Sequence, residues 1–328
     1  MNNKSLSLWF NSPGKVEIKE EVLIKEDGKI LFNSSLMGIS AGTEMLFFDG
    51  KINLGIDADS SIDALSTRIQ YPMKYGYINA GFLENGKKAF AFYPHSTKFY
   101  INSKDLLILP EDIDFNDAIF IPNMETALNI VQDSEIIFGE TVCVFGLGVV
   151  GLLICEILKL NGVKKIIAID PSSFKREKSK NFGCQSLYFE NNEKLISEIY
   201  KLTENRGVDI AINVSGSSLA LQNAINILAF SGTLIEGSWY GNKNVCLNLG
   251  TNFHRKRLKI KSSQVSTINP DLTGRWDKKR RFNLVFELLR EIKPSKYITH
   301  TFKLIDGQKC FDFIKYNKDL IIQVALQP

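Results

Sequence analysis

The order of apolar and polar positions divides the chain into two kinds of section. From Lys15 to Leu109, short apolar runs such as Val22-Leu-Ile24, Lys29-Ile-Leu-Phe32 and Ala89-Phe-Ala-Phe-Tyr93 alternate with Gly, Asn and Pro turns. This pattern predicts a β-rich section. Beyond about Asp117 the rhythm changes to strand-like and helix-like segments in turn, as in a parallel sheet covered by helices. Strands are expected over Thr141–Phe145, Lys164–Ile169, Val208–Val214 and Gly232–Gly237, each short and apolar enough to be buried on both faces. Helices are expected over Thr126–Val131, Val149–Leu160, Phe174–Phe182 and Ser217–Phe230. From Tyr297 to Leu326 the pattern returns to short strands around one helix. The expected division is residues 1–117, 118–290 and a return segment, 291–328.

Composition narrows the class without naming a chemistry. The chain has 328 residues, 44% of them apolar, with 40 Lys plus Arg against 36 Asp plus Glu. A length of this order fits about two domains with their own cores. The net charge of +4 comes with no long basic run, which argues against a nucleic-acid face. The first eleven residues hold no apolar stretch of leader type, and no segment reaches the roughly 18 apolar residues of a membrane span. The five cysteines, at least 12 residues apart, form no C-x-x-C pair and read as reduced thiols in a cytoplasmic protein.

One motif carries chemistry. Val142-Cys-Val-Phe-Gly146-Leu147-Gly148-Val149-Val150-Gly151 is a buried strand that runs into G-x-G-x-x-G and then a helix. Gly146 serves the tight turn, Gly148 lets backbone approach a pyrophosphate, and Gly151 lets helix pack on strand. The next strand ends at Asp170, 19 residues after Gly151, where a carboxylate accepts bonds from ribose hydroxyls and repels a 2′-phosphate. NAD is therefore the expected cofactor. Asp170 as a plain helix cap is the alternative, and Lys175 and Arg176 stand close enough to be ambiguous.

A β-rich first section, a dinucleotide-binding section and a short return together resemble the medium-chain dehydrogenase/reductase superfamily, the alcohol dehydrogenase-like group. Gly207-Val-Asp-Ile-Ala-Ile-Asn-Val-Ser-Gly216, Gly232-Thr-Leu-Ile-Glu-Gly237 and Ile298-Thr-His-Thr-Phe302 are similar to recurrent pieces of it. The resemblance implies an α/β protein with a GroES-like β-barrel catalytic domain beside a Rossmann domain with a doubly wound parallel sheet. It also implies a homodimer acting on a small molecule, with Thr126 and Ser215 near the cofactor. Zinc-dependent members take ligands from a Cys-Gly-Thr-Asp and a Gly-His-Glu segment. Here the matching segments read Ala41-Gly-Thr43-Glu44 and Gly76-Tyr77-Ile78, and residues 88–110 contain no Cys. A catalytic zinc needs about three ligands, so a zinc-free member is expected.

Without a metal, hydrogen bonds must polarise the reacting group. Thr43 matches the family position that relays the substrate proton, and Tyr77 replaces the metal-binding His. Lys74, three residues before Tyr77, is a candidate to lower its pKa or to meet the substrate; packing is the alternative for Tyr77, as for Tyr71 and Tyr75. His95 is a candidate proton shuttle, or else an exposed turn residue. Trp239 and Tyr240 are candidates to stack on a planar substrate or to close a loop. The expected activity is NAD(H)-linked interconversion of an alcohol and a carbonyl. Reduction of an activated C=C bond and dinucleotide binding without catalysis remain open.

Overall fold

The computed structural model describes residues 4–59 and 62–328. The chain begins with β1 (Lys4–Ser12), β2 (Lys15–Val22), β3 (Ile30–Ile39), α1 (Ala41–Phe48), β4 (Met73–Lys74), β5 (Asn79–Leu83), β6 (Lys88–Ala91), β7 (Lys98–Ile101) and β8 (Leu106–Ile108). It continues with α2 (Phe115–Ala118), α3 (Ile121–Asp133), β9 (Thr141–Phe145), α4 (Val149–Leu160), β10 (Lys165–Ile169), α5 (Ser173–Lys180), β11 (Gln185–Leu187), α6 (Asn192–Leu202) and β12 (Val208–Asn213). The remaining elements are α7 (Ser218–Ile227), β13 (Leu228–Glu236), α8 (Asn252–Arg255), β14 (Lys259–Ser262), α9 (Lys278–Ile292), β15 (Ile298–Lys303), α10 (Gly307–Tyr316) and β16 (Gln323–Gln327). No helix among the described residues is long and apolar enough to cross a membrane.

Two compact units emerge. The first contains the chain up to Pro122, Gly241–Lys243, and Leu289–Pro328. The second contains Asn123–Tyr240 and Asn244–Leu288. These bounds lie a few residues from the expected ones, and Gly241–Lys243 pack with the first unit, where Lys51 O accepts a bond from Asn242 N.

In the first unit, β3 is the hub of a mixed sheet in the order β15-β16-β3-β5-β6-β8, with β7 also on β3, while β2-β1-β4 form a separate ribbon. The carboxyl-terminal β16 pairs antiparallel with β3, so the return segment completes this sheet. The core joins Leu8 and Phe10 of β1, Met37 and Ile39 of β3, Phe47 and Phe48 of α1, and Phe311 of α10. Helix α1 was not foreseen. The Val22–Ile24 run is not a strand core: it ends β2, and Val22 and Ile24 are exposed.

The second unit is a six-stranded parallel sheet in the order β11-β10-β9-β12-β13-β14. Counted from β9, that is third, second, first, fourth, fifth, sixth, the order of a Rossmann doubly wound sheet. The expected α/β fold class holds. Strand β9 and helix α4 fall where the pattern placed them. Helix α7 stops three residues early because Leu228 and Ala229 already lie buried in β13, leaving Phe230 67% exposed.

Candidate active site

In a doubly wound sheet, ligands bind at the carboxyl ends of the strands where the order reverses. Here that point lies between β9 and β12. Gly146, the first residue past β9, has φ +94°, and a Cβ there would stand 2.9 Å from the Ser215 backbone. A Cβ on Gly151 would lie 1.8 Å from Gly146 O, so only glycine lets α4 start so close to the strand. A Cβ on Gly148 would meet nothing within 4 Å, which leaves the loop open on the side a pyrophosphate would take. Gly148 caps α4 without a side chain, and the first amides of this 12-residue helix favour an anion.

Asp170 is 93% buried and rigidly held. Its Oδ2 accepts from Leu147 N and its Oδ1 from Ser172 N, each at 2.8 Å, so it is tied to the glycine loop as well as to its own turn. An ionised carboxylate has about four acceptor positions, so capacity remains for ribose hydroxyls. Arg176 is engaged elsewhere: Nη1 donates to Asp170 O and Pro171 O at 2.6 and 2.7 Å, and its guanidinium lies over the Tyr188 ring. Lys175 is part-exposed on the first turn of α5, with its amide donating to Ser172 Oγ. Thr126 lies on α3. The residues of this loop fit a pyridine dinucleotide.

At the ends of β12 and β13 a polar network appears that sequence reading missed. Asn213 Nδ2 donates to Glu236 Oε2 at 2.7 Å and to the Tyr240 hydroxyl at 3.0 Å; that hydroxyl in turn donates to Glu236 Oε2. Ser215 Oγ donates to Asn213 Oδ1, and Ser238 N donates to Glu236 Oε1, each at 2.7 Å. Burial, and then the Glu236 charge, push the Tyr240 phenol well above its ordinary range. Tyr240 is thus fixed through its hydroxyl, while Trp239 remains 44% exposed. Nothing local marks Glu236 as a polar hub, because it reads as the end of an apolar strand.

The first unit gathers the other candidates. The Tyr77 hydroxyl donates to Ser40 Oγ at 2.5 Å and is also hydrogen-bonded to the Thr43 hydroxyl. Burial raises the Tyr77 phenol to about 12; the Ser40 and Thr43 hydroxyls act against this, and the charges of Glu44 and Asp59 add to it. Lys74 does not lower it. Lys74 Nζ instead pairs with Glu21 Oε2 at 3.1 Å and lies over the Trp9 ring, because β4 pairs with β1 and places Lys74 opposite Trp9. The packing role holds for Tyr71, whose hydroxyl bonds Phe47 O, and for Tyr75, stacked on Phe47 at 3.8 Å.

His95 is neither an exposed turn residue nor open to a substrate. It is fully buried, and its Nε2 lies 2.9 Å from Glu44 Oε2, in a carboxylate that is fully buried as well. That partner stands 51 positions away in sequence. Ala41, Tyr77 and Ile78 provide no metal donor set. Among the described residues no three His, Cys, Asp or Glu side chains come together as a metal requires. The described residues of the first unit offer no donor set that fits a catalytic zinc.

Comparison with known proteins adds a family setting. Residues 149–278 match the family model described as zinc-binding dehydrogenase. That stretch lies beyond Ala41, Tyr77 and Ile78, and beyond residues 88–110. The chain is 30% identical over 237 residues to the NADP-dependent isopropanol dehydrogenase of Thermoanaerobacter brockii, covering 70% of this chain and 64% of that protein. It is 27% identical over 236 residues to D-xylulose reductase A of Aspergillus oryzae, covering 70% and 62%. The matched stretches span less than two thirds of these relatives. Among solved structures, 2R,3R-butanediol dehydrogenase from Bacillus subtilis superimposes with a TM-score of 0.80 at 19% identity over 99% of both chains. Zinc-dependent alcohol dehydrogenase 2 from Streptococcus pneumonia gives 0.81 at 19% identity over 98% of both.

Proposed function

We infer that this chain is a member of the alcohol dehydrogenase-like medium-chain dehydrogenase/reductase superfamily and an NADH-linked oxidoreductase that interconverts an alcohol and a carbonyl without zinc. The observation that carries this reading is a hydroxyl cluster of Tyr77, Ser40 and Thr43, in which Tyr77 stands where the resemblance places a metal-binding His, in a chain that keeps the glycine cradle. Gly146, Gly148 and Gly151 would hold the pyrophosphate and Asp170 the adenine ribose. When bound, the nicotinamide supplies a hydride to a carbonyl carbon or takes one from an alcohol.

Tyr77 then gives the proton to the carbonyl oxygen, and the Ser40 and Thr43 hydroxyls steady its oxygen as charge develops there. A phenol raised to about 12 is fully protonated at neutral pH, so it is a ready donor for reduction. Alcohol oxidation runs the same transfer backwards and needs the phenolate. Its rate is therefore expected to rise with pH up to the phenol's pKa, whereas reduction loses its donor only above it.

Cofactor preference follows from Asp170. Fluorescence titration is expected to show NADH binding at least about tenfold more tightly than NADPH, because a 2′-phosphate would meet the buried carboxylate. Asp170→Gly is expected to narrow or invert that ratio. Tighter NADPH binding by the unaltered protein would overturn the NADH assignment. The reaction type is tested with NADH and a panel of aldehydes, ketones and enones. Carbonyl turnover supports the reading, and turnover of enones alone would assign C=C reduction instead.

A further inference from the structure

Glu44 and His95 form a buried hydrogen-bonded pair that the proposed chemistry leaves unused. Taking a carboxylate out of water costs several kcal/mol unless its partners are well placed. Both Glu44 oxygens are occupied: Oε1 accepts from Ser40 N at 2.8 Å, and Oε2 faces His95 Nε2 at 2.9 Å. His95 Nδ1 is buried and has no partner among the described residues, so the single proton of a neutral ring belongs on Nε2, where the carboxylate accepts it.

The neighbours of this pair are the parts that hold Tyr77. Ser40 precedes α1, and its Oγ receives the Tyr77 hydroxyl. On the other side, the His95 ring packs against Gly76. A Cβ there would come within 2.4 Å of the ring, and the φ of +107° suits glycine alone. His95 N also donates to Tyr75 O. The contacts close a ring from Ser40 to Glu44, to His95, to the Tyr75–Tyr77 turn, and back through the Tyr77 hydroxyl to Ser40.

We propose that the Glu44–His95 pair is a positioning clamp: it joins the first turn of α1 to the Tyr75–Tyr77 turn and so fixes Tyr77 for proton transfer. Neither residue touches the reacting atoms. This rests on the reading of Tyr77 as proton donor. Glu44 also supplies part of the charge that Tyr77 faces, together with Asp59. The titratable groups around the pair and the phenol are Glu44 on α1, Asp59 in the loop after it, Tyr75 beside it, His95, and Cys310 on α10.

Three variants test the clamp in the full-length protein. His95→Ala is expected to lower kcat for carbonyl reduction by roughly 10- to 100-fold, as displacement of a catalytic group does, with NADH affinity and carbonyl KM within about twofold. His95→Gln restores an N–H facing Glu44 and should recover most of the loss. Wild-type kcat in His95→Ala, or no recovery in His95→Gln, would overturn the clamp. Glu44→Gln keeps an acceptor for Ser40 N but removes the charge. Ultraviolet difference titration, with the Tyr77→Phe version of each protein subtracted, reads the Tyr77 phenol without any turnover. In the unaltered protein the phenol should stay un-ionised to about pH 10.5, and in Glu44→Gln, which removes one of the two charges that add to the effect of burial, its ionisation should begin at lower pH than in the unaltered protein. An unmoved titration would show that Glu44 does not govern Tyr77. Full turnover by Tyr77→Phe would remove the proton-donor reading, while the titration would still report on the clamp.

Discussion

Tyr77→Phe is expected to lower kcat for carbonyl reduction by about 10²- to 10⁴-fold, the range set by loss of a positioned general acid. The substitution removes one oxygen and keeps the ring, which packs edge-on to Tyr75 at 6.2 Å and against the apolar core of its unit. Folding should therefore be little affected. NADH binding draws on the glycine loop and Asp170, so the dissociation constant should stay within about twofold. Steady-state kinetics beside a fluorescence titration separates the two quantities. A kcat near the unaltered value would assign the proton to another group, with Thr43 the next candidate.

Glu125→Ala is expected to destabilise the second unit by about 3–5 kcal/mol, measured as a lowered urea midpoint. Arg281 has no exposed surface, and its Nη1 faces Glu125 Oε1 at 3.4 Å. Its other bonds are to Val265 O at 3.0 Å and Thr267 O at 3.2 Å, and its Nε has no partner among the described residues. Removing the carboxylate leaves a buried guanidinium with carbonyl partners alone. Lys278 also bonds Glu125, at 2.7 Å, but it is 41% exposed, so Lys278→Ala should cost below about 1 kcal/mol. Equal losses in the two variants would show that Arg281 does not depend on Glu125.

What could be read from the sequence was local. The strand into Gly146 and the helix from Val149 have dense apolar patterns with the right spacing, and both stand where expected. Asp170 was legible because it ends the following strand. Helix α1 was not, since Ala41-Gly-Thr-Glu44 contains Gly42 and Thr43, poor helix formers. The helix is held by burying Met45, Phe47 and Phe48, and by Glu44 reaching back to Ser40 N.

The site residues divide in the same way. Lys74 stands near Tyr77 in sequence, yet pairing with β1 sends it to Glu21 and Trp9. His95 looked like a turn residue because its partner comes from another element 51 positions earlier, a contact that no local spacing records. Asn213, Glu236 and Tyr240 meet only because β12 and β13 lie side by side in the parallel sheet. Such pairings are set by topology, which leaves no mark in a short window of sequence.

The central claim, carbonyl reduction by NADH without zinc, is tested most directly by one assay on the purified protein. Zinc content is measured together with turnover of a responsive carbonyl substrate, before and after dialysis against a strong chelator. The expected result is unchanged turnover at far less than one zinc per chain. Loss of activity on chelation, restored by one equivalent of zinc, would contradict the account.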